Sequence, residues 1–299
     1  MSTMTIRSQI PTETSPAVAA PSAVPAQSTA APDPEPAPGS QEEEHDLEHQ
    51  GQGQGKDRHD DHDRDTPKFP HPKLRLEIRD LNHPGTIKFL GAVNASTLLS
   101  DAVKNVQRLL YRSAADKHTT CPPTRSVTVI LRDMGGVAYT TGSDLDSDHK
   151  EIHFSLSYIA SHIPSTPPSR LPAELTGILT HELVHCYQWD AHGTAPGGLI
   201  EGIADWVRLN CDLRPPHWKR GEIKIDDPWD KGYQHTAYFL QYLEERFGEG
   251  TVRRINEGLR STWEYEAKGF WVRLLGKEVE ELWGEYCGSV RGDDGKGTA

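Results

Sequence analysis

No stretch of this chain approaches about 18 consecutive apolar residues, so the sequence offers no membrane span. A secretory leader is missing too: Met1 to Ile10 holds no apolar run, and Ala17 to Ala31 is small-residued and broken by proline. The expectation is a cytoplasmic protein. Cysteine is scarce, with Cys121, Cys186, Cys211 and Cys287 widely spaced and no C-x-x-C pair; this pattern predicts free thiols in a reducing compartment rather than a disulfide framework. Basic residues are in deficit, 32 Lys and Arg against 44 Asp and Glu, and nothing forms the basic stripe of a nucleic-acid binder.

What is present divides the chain unevenly. Residues 1–67 carry 4 basic and 13 acidic residues, a net charge of −9, which leaves −3 for residues 68–299. The first forty residues are rich in Pro, Ala, Ser and Thr, and a polar run follows from Glu42 to Asp65. Such a segment buries too little apolar surface to offset the entropy of ordering, so 1–67 is expected to be a disordered tail. Its His45, His49, His59 and His62 lie among carboxylates and read as part of a solvated charge run. A folded domain is expected over 68–290, with a flexible C-terminus at 291–299.

Within that domain, Leu74 to Ile78 alternates as a strand and is closed by the turn signal Asn82-His83-Pro84-Gly85. Leu98, Leu99, Ala102, Val103, Val106, Leu109 and Leu110 recur at helical spacing, predicting a helix over Asn94 to Arg112 capped by Asn94 or Ser96. Ser126 to Leu131 reads as a central strand, and two short strands are expected at Val137–Tyr139 and Glu151–Phe154, joined by a loop from Thr141 to Lys150. From Leu171 the pattern turns helical: 171 to about 189, 199–210, 231–247, 252–259 and 277–287. Strands first and helices afterwards define an α+β domain with a small twisted sheet lobe and a helical lobe.

The helix from Leu171 contains His181-Glu182-Leu183-Val184-His185, an H-E-x-x-H pattern that a chain of this composition produces by chance about 0.05 times. Residues four apart on a helix share a side, so His181 and His185 present two imidazoles that can grip one zinc ion, with Glu182 beside its open position. At 100° per residue, Leu175, Leu179, Leu183 and Cys186 fall on one side, the histidines with Ile178 on the next, and Val184 and Tyr187 over much of the rest. A helix apolar nearly all round is a buried helix, and buried imidazoles need partners.

A hydrolytic zinc site takes a third protein ligand. The metzincin continuation H-E-x-x-H-x-x-G-x-x-H breaks here at Gln188 and Ala191, and His192 lies one residue past the required place. Glu201 is the favoured third ligand, with His192 as the alternative. Asp205, four residues beyond Glu201, is placed to accept the outer N–H of His181 and fix its tautomer. This order, with E-x-x-x-D after H-E-x-x-H, resembles the gluzincin metallopeptidases.

The runs from His181 to Trp189 and from Ala195 to Leu209 resemble the plant basic secretory protein family, also described as peptidases of plants and bacteria. Further similar stretches are Asp133 to Tyr139, Trp229 to Tyr233 with Thr236-Ala237, and Leu274-Leu275-Gly276-Lys277 to Leu282-Trp283. The resemblance covers roughly 75–288 and implies a zincin-like fold and a proteolytic or defence-related role. The chain departs from the family's name in being acidic and without a leader.

The expected activity is therefore hydrolysis of peptide bonds in a peptide or protein substrate. Zinc would be held by His181, His185 and Glu201, and Glu182 would act as general base on the zinc-bound water. Tyr233, and behind it His235, are candidates to stabilise the oxyanion. The strand Glu151–Phe154 is the candidate edge for an extended substrate. Trp206, Trp218 and Trp229 read as core or cleft wall. Two other functions stay open: a non-catalytic protein- or glycan-binding module, and a structural zinc site closed by His192. Oligomeric state is open as well.

Overall fold

The computed structural model describes residues 67–161, 168–223 and 227–294. The expected tail, its histidines and the last five residues lie outside these. The domain has a four-stranded sheet, β1 (Lys73–Ile78), β2 (Ser126–Arg132), β3 (Ala138–Ser143) and β4 (Asp146–Ser155), in the order β1-β2-β4-β3. β1, β2 and β4 run parallel, and β3 returns antiparallel along β4.

Register and the two-residue period of a strand put Leu74, Leu76 and Ile78 on one face with Val127, Val129 and Leu131, then Ile152 and Phe154, then Ala138 and Thr140. The valines of β2, Leu131, Ile152 and Phe154 are fully buried there. β2 is central, as its β-branched run implies. The expected loop at Thr141–Lys150 is instead the strand-rich body of the β3–β4 hairpin, because polar residues on a solvent-facing ladder carry no apolar alternation to betray them. β4 is internal, and of the two edge strands, β1 and β3, it is β3 that borders β4, which moves the candidate substrate edge from Glu151–Phe154 to Ala138–Ser143.

Helices α1 (Pro84–Ala92), α2 (Ala95–Tyr111) and α3 (Leu156–Ser161) accompany the sheet. Asn94 caps α2 by accepting from the Thr97 amide at 3.1 Å, and the predicted apolar stripe is buried except for Leu109, which is partly covered. The turn signal at 82–85 starts α1: Pro84 sits in its first turn and His83 accepts the Gly85 amide at 3.0 Å.

The helical part holds α4 (Leu171–His185), α5 (Gly197–Asn210), α6 (Tyr233–Phe247), α7 (Thr251–Arg260), α8 (Ala267–Leu275) and α9 (Val279–Asp294). α8 was not anticipated, and α9 runs through positions expected to be flexible, as far as Asp294. α4 stops at His185 rather than near Trp189. The carbonyls just past its end are taken from elsewhere in the chain: Thr124 donates to Cys186 O at 2.9 Å and the Tyr111 hydroxyl to Tyr187 O. Asn256 of α7 accepts the Trp189 amide at 3.0 Å. The burial predicted for α4 is present, with Leu175, Ile178, Leu179, Leu183 and Val184 in the core alongside His181 and Glu182. Trp206 and Trp229 belong to the core and Trp218 to the wall of a cleft. No described helix is long and apolar enough to cross a membrane, and the four cysteines are free thiols.

Candidate metal centre

α4 and α5 lie side by side in opposite directions, and the site occupies their seam. On α4 the residues facing the seam recur at helical spacing, Glu174, Ile178, His181 and His185; on α5 they are Glu201, Asp205 and Arg208. Each rung of this ladder pairs groups of complementary chemistry. Glu201 Oε2 lies 3.1 Å from His181 Nε2, and its Oε1 lies 3.9 Å from His185 Nε2. Asp205 Oδ1 accepts from His181 Nδ1 at 2.7 Å. The two Nε2 atoms stand 3.2 Å apart.

These distances fit a metal. Ligand atoms set tetrahedrally about 2.05 Å from a zinc ion lie about 3.3 Å from one another, and one ligand atom from each of His181, His185 and Glu201 falls within 4.8 Å of the others. Both outer ring nitrogens are also tied. Asp205, only 2% exposed, fixes His181 with its proton on Nδ1, leaving Nε2 free to ligate. Gln188 reaches His185 Nδ1 at 2.8 Å through its amide nitrogen, while its Oε1 is buried with no partner among the described residues. A half-turn of that amide brings Oε1 to the ring and gives a protonated Nδ1 the acceptor that ligation through Nε2 demands. The residue that broke the metzincin pattern thus steadies the second histidine.

The titration of the group follows from its crowding. Burial opposes a charge on His181, but its hydrogen bonds to Asp205 and Glu201 outweigh that and lift it to about 10. Burial, and then the charge on His181, pull His185 down to about 4. Glu201 is held below the usual carboxylate range: burial works against its charge, and the contacts to His181 prevail. A cation held by these three side chains would stand where the hydrogen bonds now favour a charge on His181.

Glu182 is 6% exposed. Burial raises its pKa, against the opposing hydrogen bond from Thr140, whose hydroxyl lies 2.7 Å from Oε2 and 3.0 Å from the Glu182 carbonyl. Thr140 belongs to the edge strand β3 and faces α4 because it shares the buried side of the sheet with Ile152. One bond thereby joins the strand edge to the candidate base.

Tyr233 opens α6 from the rim of the cleft, 59% exposed, with its ring nearly parallel to that of His181 at 6.4 Å. Core packing does not hold it. Its φ of 48° lies in the left-handed region, a strain of about 1–3 kcal/mol for a residue with a Cβ. The charge of Glu201, then burial, make its phenol harder to ionise. His235 also lines the cleft, half-buried, its pKa lowered by burial and by Lys231. His192 is elsewhere. It sits in a left-handed turn and stacks on Trp263 at 4.1 Å, so the alternative third ligand does not join the group.

The cleft holds about 920 Å³ and runs from Val137–Thr140 of the sheet edge past the histidines to Pro215 and Trp218. Sequence reasoning missed Thr140, Gln188, Glu174 and Arg208. Gln188 had a legible signal, three residues after His185 in the run the sequence reads as helix; Thr140 had none.

Fold and site define an α+β protein in which two histidines of one helix and a glutamate of the next form a candidate metal group inside an open cleft. The chain belongs to the basic secretory protein family, described as peptidases of plants and bacteria, whose family model matches residues 71–286. No curated protein and no solved structure matches the chain.

Proposed function

We propose that the protein is a zinc-dependent peptidase of its family, with His181, His185 and Glu201 as the ligands. The convergence of three donors, 3.1–3.9 Å apart, in a cleft that also exposes a sheet edge supports this most directly. Zinc, when bound, supplies Lewis acidity to polarise a peptide carbonyl and to acidify water. The chain's own groups do the rest. Glu182 accepts a proton from the attacking water and returns it to the departing amine, a role suited to a carboxylate whose pKa burial has raised. Thr140 holds that carboxylate in one orientation. Tyr233 donates its hydroxyl proton in a hydrogen bond to the oxyanion, and the strained turn that presents it keeps it at the rim. An extended peptide pairs with β3, the edge strand at the cleft, which places its backbone beside Glu182. A structural zinc site would need a fourth protein ligand, and the stacking of His192 on Trp263 argues against it.

The decisive comparison is zinc content and hydrolysis of a broad peptide library by the wild type and Glu182→Gln. Equal zinc in both, with turnover confined to the wild type, is the expected result. A wild-type protein that carries zinc and cleaves nothing would leave the proposal without support.

A further inference from the structure

The ladder between α4 and α5 continues one rung beyond the metal group, and that rung has no part in the chemistry above. Arg208, 7% exposed, donates from Nη2 to Glu174 Oε1 at 3.1 Å and from Nε to Leu213 O at 3.0 Å. Its guanidinium lies flat on the backbone of α4, where Gly177 leaves room: a Cβ there would stand 2.6 Å from Nε. The Trp218 ring stands over it, 5.4 Å from Cζ. A clamp between two helices explains a buried ion pair, yet this pair also faces open space: both side chains line the cleft, with Tyr158, Ile178, Pro215 and Trp218.

We infer that Arg208, Glu174, Trp218 and Ile178 form a specificity subsite that takes a large uncharged side chain of the substrate peptide, aromatic in the best case; this rests on the peptidase reading. The walls supply apolar and aromatic surface one to two turns from the metal group. The ion pair supplies selectivity by cancelling its own charge. A substrate carboxylate entering here meets Glu174, and an ammonium meets Arg208, each after losing water, so both are rejected. An uncharged ring pays neither penalty. Removing one member of the pair converts the subsite into a receptor for the opposite charge, an outcome a purely structural clamp would not produce.

The test uses a peptide frame in which each position in turn is Phe, Glu or Lys. It reads kcat/KM for active proteins and calorimetric affinity for the Glu182→Gln protein. At one position the wild type should favour Phe over both charged residues by about tenfold or more. Glu174→Gln leaves Arg208 unbalanced and should raise the Glu-to-Lys ratio there by about 10- to 100-fold; Arg208→Gln should move it the other way by a similar factor. Trp218→Leu, outside the ion pair, should erode the Phe preference without changing the charge ranking, and serves if a pair variant fails to fold. Equal losses for all three residues at every position would reduce the pair to a clamp and overturn the inference. Wild-type cleavage that Glu182→Gln abolishes, combined with a flat profile, sinks the subsite alone. If no peptide is cleaved, the peptidase reading falls and binding to Glu182→Gln decides the subsite by itself.

Discussion

Gly202→Ala is the substitution through which packing and chemistry can be separated most cleanly. Gly202 lies on α5 beside Glu201, against Thr236 of α6. A Cβ at that position would stand 2.3 Å from Thr236 Cγ2 and 2.5 Å from Thr236 Cβ. Ordinary contact begins at 3.4 Å, so the helices must part by about 1.1 Å. Thr236 cannot simply rotate away: it is fully buried, accepts the Gly232 amide at 2.9 Å and donates to Trp229 O at 2.8 Å. Overpacking of this kind costs about 1–3 kcal/mol. For a domain of this size that is a fall in Tm of about 2–12 °C. The shift also carries the start of α6, and Tyr233 with it, away from His181 by about an ångström, a displacement able to lower kcat by up to about 100-fold. The proposed ligands sit on α4 and α5, so zinc content should not change. Calorimetry, metal analysis and kcat on one preparation check all three outcomes. Full activity at an unchanged Tm would refute the packing argument, and loss of zinc would refute the separation of the metal group from α6.

Glu201→Ala should abolish zinc binding while His192→Ala leaves it intact, measured by metal content after dialysis; the reverse result reassigns the third ligand. Tyr233→Phe should cut kcat by about 100-fold, the effect of losing one oxyanion donor, with zinc content and KM little changed; an unaltered kcat would assign Tyr233 no part in turnover. Thr140→Val removes a hydrogen bond that lowers the pKa of Glu182, so that pKa rises further. The base is lost on protonation, and the acidic limb of the pH–rate profile should therefore move to higher pH. An unmoved limb, or one displaced to lower pH, would show that Glu182 does not set it.

How much was legible follows from what kind of signal each element leaves. α2 announces itself by its apolar period, α4 by a long run apolar nearly all round, and β2 by its β-branched run, because burial on a regular backbone leaves its mark on composition and spacing. α1 was concealed by Pro84-Gly85, which serves a turn and a first helical turn equally well. The β3–β4 hairpin was legible only at Val137–Tyr139 and Glu151–Phe154; the polar residues between hid its length, and nothing local told which of the two strands lies at an edge. The end of α4 depended on Thr124, Tyr111 and Asn256, residues distant in the chain that bond the backbone of Cys186, Tyr187 and Trp189 just past it.

The sequence by itself determined the membership of the site's central helix. H-E-x-x-H is local, its geometry is dictated by 3.6 residues per turn, and Glu201 with Asp205 repeats the same four-residue spacing one helix later. Only the tertiary structure decided which groups those residues meet. That His192 stacks on Trp263, that Thr140 reaches Glu182 from a strand edge, and that Arg208 and Glu174 extend the seam past the histidines are all contacts between elements far apart in the chain. Such contacts are set by how helices and sheet pack, and packing leaves no period in the sequence from which to read them.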